Sequence, residues 1–577
     1  MAARIKAGRS VMLALGAAWI AGAGLGGAAA ADPATGAYLA ARQAVLSGDY
    51  VAAAENFTRA LTRDASNPML LENAALAFLS LGDLDRARPI AQKMEDSGLK
   101  SQVAALVLTG TEAKAGDFAA LLDRIGDERG VGPLVDGLTR AWALMGQGDV
   151  SAGLAMFDAL EADGLGAFAS YHKALALAMV GDFEGAEAIF ASEAGGPLQQ
   201  TRRGAIARAQ ILSQLDRDED AVAMLEQMFG TDLDPGLEAM QTALSRREML
   251  PFTLITSPTD GIAEVFHTVA SFLRREAGDE YTLLFARVAT YLRPDHTDAL
   301  LQSASLLESM EKFDLAVATY RLVPASDPSF HAAELGRAEA LRRLDRLEAA
   351  AEVLAQLTRS HGDLPIVHVT LGDLMRQLER FGEAVAAYDT ALSLYPAEDQ
   401  NHWFIYYARA IAHERQDQWD EAEADFRKAL ALNPDQPQVL NYLGYSLVEK
   451  QIKLDEALDM IERAVAARPD SGYIVDSLGW VLYRLGRFDE AVVHMERAAE
   501  LLPVDPIVND HLGDVLWAVG RTREARFQWT RALSFGPEDT DAVRIRRKLE
   551  VGLDVVLEEE GARPLAEMAR SMVPHGN

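Results

Sequence analysis

The chain has 577 residues, 49% of them apolar and 24% charged, a composition that folds rather than stays disordered. Its 55 Lys plus Arg against 86 Asp plus Glu leave a formal net charge of −31. That excludes a nucleic-acid binder, which needs a basic face for phosphates, and a surface docked on anionic lipid. No cysteine is present, so disulfides, thiolate metal sites, cysteine nucleophiles, iron–sulfur clusters and a lipidated N-terminal cysteine are excluded too.

Residues 1–31 read as an export signal. Arg4, Lys6 and Arg9 form a basic start, Val11 to Leu25 an apolar stretch, and Ala29, Ala30 and Ala31 a small-residue cleavage site ahead of Asp32. The expected location is therefore the bacterial periplasm, without a lipid anchor; the other reading is a retained membrane anchor. Gly22, Gly24 and Gly27 match G-x-G-x-x-G, but no strand precedes them and the segment belongs to the leader.

From residue 32 to 229 a rhythm appears. Gly48, Gly82, Gly116, Gly148 and Gly181 are spaced 34, 34, 32 and 33, and each is followed by Asp and an amphipathic run. These spacings predict helical hairpins, with a sixth in which Asp216 takes the glycine slot. Between 230 and 261 the rhythm fails. One short helix is expected from Asp234-Pro235, then a loop with Pro251 and Pro258, and the segment reads as an irregular joint between two arrays.

Hairpins resume at 262 and run to 538. Their best copies are LGDLMRQLERFGEAVAAYDTALSLYP (371–396), LGWVLYRLGRFDEAVVHMERAAELLP (478–503) and LGDVLWAVGRTREARFQWTRALSFGP (512–537). The closing prolines Pro434, Pro469, Pro503 and Pro537 are 35, 34 and 34 apart. This pattern resembles the tetratricopeptide repeat, whose period is about 34. The resemblance implies an all-α, right-handed superhelical solenoid of antiparallel helix pairs, about fourteen hairpins in all. It also implies a packing code. Gly372, Gly444, Gly479 and Gly513 let helices approach, as do Ala384, Ala422, Ala457, Ala491 and Ala525. Tyr388, Phe426, Ile461, Met495 and Trp529 fill the space between. Residues 539–559 are expected to form one last amphipathic capping helix with Val543, Ile545, Leu549, Leu553 and Val556 on its apolar face; 561–577 are expected to be a loose tail.

Chemistry-bearing motifs are sparse. His413-Glu414 begins like H-E-x-x-H but lacks the second histidine. His361 and His368 read as ordinary histidines. Asp216, Asp218 and Asp220 lack the glycine and closing glutamate of a calcium loop, and Glu558, Glu559 and Glu560 read as a solvated charge run. No catalytic residue, cofactor or metal site is expected.

In tetratricopeptide repeats, residues two turns apart on the first helix face the concave side. Carried onto this chain, they are Tyr407, Asn441, Tyr445, Asp476, Trp480, Tyr483, Asp510, Asp514 and Trp517, with Ile411, Val369 and Asp373. Aromatics with carboxylates between them favour an apolar or basic partner segment over a C-terminal carboxylate, which would call for Lys and Arg where only Arg376 stands. The run 441–525 also resembles bacterial cell-envelope repeat proteins, some of which deliver substrates to carboxyl-terminal processing proteases. That resemblance implies a non-enzymatic adaptor with protein partners, an envelope protease and its substrates among them. Two other readings stay open: a scaffold for envelope polysaccharide synthesis or export, and a superhelical enzyme such as a murein lytic transglycosylase. For the latter, the roughly forty residues after the repeats are too short for a catalytic domain.

Overall fold

A computed structural model describes residues 33–161, 165–192, 197–230 and 233–570. The expected leader, its three glycines and the last seven residues lie outside them. Within the described residues every regular element is a helix, and the helices form two compact units that divide between His361 and Gly362. The first holds nine antiparallel helix pairs and one single helix; the second holds five pairs and three closing helices. The fold is thus an all-α solenoid of fourteen hairpins.

The Gly-Asp rhythm has a mechanical meaning. Each glycine closes a helix with a positive φ, 64° at Gly48 and 79° at Gly82, which costs little without a Cβ. The aspartate then caps the next helix. Asp49, Asp83, Asp117, Asp149 and Asp182 each accept a hydrogen bond from the backbone N–H three residues on. Asp216 holds the same left-handed geometry at φ 58°. Asp234 caps its helix from the front of Pro235, as the sequence predicts.

The packing code of the second unit holds position by position. A Cβ on Gly372, Gly444, Gly479 or Gly513 would lie 2.6, 2.7, 2.7 or 2.4 Å from Tyr388, Ile461, Met495 or Trp529 in turn. Those four side chains, Phe426 and the five small alanines are wholly buried. In these four pairs glycine lets the two helices close to that distance.

The first unit departs from neighbour-only stacking. Helix Pro258–Glu276 lies against Pro133–Gly146 and Gly166–Met179, and helix Asp279–Leu292 lies against Pro68–Leu81 and Gln102–Ala115. The chain folds back across the inner helices of its own earlier hairpins. Bonds between residues far apart in sequence fasten it: Arg287 to the Ser80 carbonyl (3.0 Å), Tyr291 to Asp85 (2.6 Å), Lys114 to the Leu292 carbonyl (2.8 Å) and Lys312 to the Ser47 carbonyl (2.9 Å). Of the segment expected to be a joint, 230–261, the described residues 233–261 belong to the first compact unit, and the boundary between units falls at 361, inside the stretch 262–538. Ile255 is buried, and the side chain of Gln210 accepts from the Thr253 N–H at 3.0 Å.

Gly261 marks a close approach of the fold-back, since a Cβ there would lie 2.2 Å from the indole of Trp142. Gly261→Val should lower the stability of the first unit by about 1–3 kcal/mol through overpacking. An unchanged urea midpoint for that unit would contradict the contact.

Candidate functional site

The inner helix faces are where a solenoid offers a surface to a partner. In the first unit the fold-back helices cover this face, around a buried charge cluster. Glu264, fully buried, accepts from Arg203 at 2.8 Å and from Tyr171 at 3.0 Å, and lies 3.3 Å from His296. Arg203 also donates to Asp298 at 2.7 Å. Burial alone would protonate Glu264; the Arg203 guanidinium and His296 instead hold it well below the usual carboxylate range. His172, also fully buried, accepts from the Trp142 N–H at 3.2 Å and faces Thr268 at 3.2 Å. The groups named here are turned toward one another, which suits internal cohesion and leaves little for a partner.

The second unit carries the residues expected in the groove. Four of them, Tyr407, Asn441, Tyr445 and Trp517, are half-buried and keep surface. Tyr407 packs edge-on against Tyr442 at 5.9 Å. Burial pushes the Tyr445 hydroxyl well above the usual range. Ile411 is likewise half-buried and Asp373 is exposed. Apart from Trp517, which lies on Pro506–Ala518, these side chains come from the first helices of three successive hairpins, Pro365–Gln377, Trp403–Glu414 and Pro437–Glu449.

The other five are not free to meet a basic partner. Asp476 is buried against His511 (3.0 Å), and Asp514 takes the Trp529 N–H (2.9 Å). Lys548, itself fully buried, donates to Asp510 at 2.8 Å and to Asp514 at 2.6 Å. Arg544 stands 3.4 Å from Asp514. Trp480 is buried with its ring stacked on His511 and Tyr483, centroids 4.0 and 4.9 Å apart, and it donates to Glu449 at 2.7 Å. Tyr483 is buried beside it. Even half-buried Trp517 gives its N–H to Asp554 at 2.8 Å.

The groups that answer this stripe come from the chain's own C-terminus. The capping helix expected as one piece is two, Asp539–Val551 and Leu553–Glu559, broken at Gly552, whose φ is 89°. Val543, expected on the apolar face, is exposed, and Lys548 occupies the core position instead. The expected tail contains a further helix, Leu565–Arg570, with Leu565 and Met568 buried in the same apolar cluster as Trp480 and Tyr483. A lysine on the buried face of an amphipathic helix, three residues after Ile545, was the signal in the sequence that could have located this pairing.

Of the other motifs, Glu414 accepts from Tyr442 and Ser446, and Arg217 pairs with Asp220. Among the described residues no group of three possible ligands is placed to hold a metal ion, and no helix is long and apolar enough to cross a membrane.

Sequence profiles of the tetratricopeptide repeat match residues 38–98, 138–198, 301–365 and 449–506, with related profiles of the same repeat at 367–398 and 403–436. No curated protein matches the chain. Among solved structures it is similar to a chain of the APC/C hetero-tetramer Cut9-Hcn1, at 14% identity over 90% of this chain and 97% of that one, TM-score 0.38. It is also similar to a tetratricopeptide repeat protein from Parabacteroides merdae, at 16% identity over 44% and 97%, TM-score 0.37. A third is YrrB, described as having an unusual peptide-binding site, at 22% identity over 34% and 99%, TM-score 0.27.

The two units should respond to pH in opposite directions. Burial, against the pull of Glu264, lowers His172 to about 4, while an unfolded histidine titrates near ~6.5. The unfolded chain takes the proton first. The first unit therefore loses stability as pH falls from about 6.5 toward 4, on the order of 3 kcal/mol from this ring. His511 behaves conversely: burial opposes its charge, but Asp476, Asp510 and Asp514 prevail and raise it. Its contribution is complete below about 6.5 and is lost as pH rises through the raised value. Half-buried His494, lowered by burial, opposes His511 in the second unit with a smaller, solvent-screened weight. Urea unfolding read by peptide-resolved hydrogen exchange at about pH 5 and about pH 8 should show the first unit weaker in acid and the second weaker in base. Shifts of the same sign in both units would contradict these assignments.

Proposed function

We propose, from the premise that this chain belongs to the tetratricopeptide repeat family, that it is a non-enzymatic protein-binding scaffold of the bacterial cell envelope. The observation that carries this reading is the half-buried stripe Tyr407, Ile411, Asn441 and Tyr445, with Asp373 beside it, on the first helices of successive repeats. Stacked hairpins leave such a face lined by side chains and free of backbone donors, so recognition falls to aromatic and aliphatic anchors. The occupant is a protein segment, apolar or basic in keeping with the chain's net charge of −31. The leader pattern of residues 1–31 supports export to the periplasm. The likeness of 441–525 to envelope adaptors supports a finer role, presenting substrates to an envelope protease.

Site-specific photo-crosslinking in cells tests this. A crosslinker at Tyr407 or Asn441 should trap a discrete protein in the periplasmic fraction, on a scaffold whose sequence starts at Asp32. The same crosslinker at Val493, exposed on helix Phe488–Leu501, should trap it several-fold less. Equal trapping at the three positions, or scaffold beginning at Met1 in the membrane fraction, would contradict the proposal.

A further inference from the structure

The C-terminal helices divide into two parts that are held in different ways. Helix Asp539–Val551 is anchored by Lys548, whose ammonium sits between Asp510 and Asp514 with no exposure. Removing it would strand the buried Asp514 and the half-buried Asp510, so this helix is a fixed cap. After the break at Gly552 the chain turns, and residues 553–570 are held by one apolar face and by ion pairs at its edge. Leu553, Val556, Leu557, Leu565 and Met568 are buried, while Asp554, Val555, Glu558, Glu559 and Glu560 stay exposed. Asp554 receives the Trp517 N–H, and Glu559 and Glu560 pair with Arg547 and Arg544 at the surface.

The residues this segment touches are those expected to face a partner. Leu557 and Met568 border, with Trp480, Tyr483, Arg484 and Arg544, a cleft of about 110 Å³. The backbone of Met568 passes over Gly486, where a Cβ would lie 2.3 Å from its carbonyl oxygen. Each hairpin also makes its own close helix-to-helix contact, Met495 against Gly479 and Trp529 against Gly513. The two short helices, seven and six residues long, are below the length at which a helix persists alone. They therefore have the character of a bound amphipathic peptide that happens to be tethered.

We propose that residues 553–570 are a resident ligand of the groove made by the last two repeats, and that a partner gains this part of the groove by displacing them. The displacing segment shares their chemistry: one hydrogen-bond acceptor for the Trp517 N–H, then aliphatic side chains at helical spacing for the Trp480–Tyr483 face. This inference rests on the reading of the inner face as a binding surface, and it extends that surface from Tyr407 and Tyr445 to Trp480 and Trp517 once the resident segment leaves.

The test uses the full chain with Leu557→Asp, Leu565→Asp and Met568→Asp, which expel the segment without shortening the protein. The probe is a fluorescein-labelled synthetic peptide of residues 553–570. It should bind the triple variant at least tenfold more tightly than the natural chain, and adding Trp480→Ala should remove the difference. Cooperative melting of the second unit should persist in the triple variant. Equal binding to both chains, or loss of cooperative melting in the triple variant, would overturn the proposal. The peptide reports on this groove whatever the crosslinking finds: a trapped partner with no peptide binding sinks this inference alone, and peptide binding without a trapped partner sinks only the scaffold role.

Discussion

Glu264 has no access to water, and the first unit is arranged around that fact. A buried carboxylate persists only when charge and hydrogen-bond donors surround it. Here the partners come from three elements well separated in sequence: Tyr171 from helix Gly166–Met179, Arg203 from helix Arg202–Gln214, and His296 at the start of helix Thr297–Ser309. None of these elements can shift by a turn without leaving a charge unpaired. A buried ion pair contributes little net stability against an apolar substitute, but breaking one costs heavily, so its effect is to select one arrangement. The arrangement selected carries helices Pro258–Glu276 and Asp279–Leu292 back across the inner face of the first hairpins.

The second unit repeats the device with the signs reversed. A fully buried lysine, Lys548, sits between Asp510 and Asp514 and sets the cap on the last repeat. In both units a buried charge directs part of the chain onto a face that a bare solenoid would leave uncovered. The consequence for function is a restricted surface. On the proposed reading, what remains for a partner is the stripe across the first three hairpins of the second unit, continued by the stretch under residues 553–570. On that reading an acidic chain with internally paired groove carboxylates would select its partner by shape and apolar contact there, and its remaining surface charge would act mainly on the rate of encounter.

Much of this was legible in the sequence because it is local. The Gly-Asp rhythm encodes a left-handed turn followed by a cap, both settled within five residues. The Gly–Ala–aromatic code encodes the contact within one hairpin, and Gly372–Tyr388 through Gly513–Trp529 meet as the spacing requires. The fold-back was not legible, because its contacts join residues 93 to 265 positions apart and the repeat period says nothing of them. That Asp476, Trp480, Tyr483, Asp510 and Asp514 are engaged from within the chain was hidden for a related reason. The period shows which side chains of a first helix point inward, and Trp480, Asp510 and Asp514 do occupy that register. It does not show that Lys548 and Met568 arrive there first. Glu264 and Lys548 were the available hints, charged residues on otherwise apolar helix faces.

The fold-back is the central claim, and the absence of cysteine makes it directly testable. Asp85 and Tyr291 are 206 residues apart in sequence, yet their side chains share a 2.6 Å hydrogen bond. With cysteines at these two positions and nowhere else, a short bis-maleimide should join them within one chain of the native protein in near-complete yield, and not after denaturation. If both cysteines react with a monofunctional maleimide while the bifunctional reagent leaves them unjoined, helix Asp279–Leu292 does not lie on the early hairpins, and the account fails.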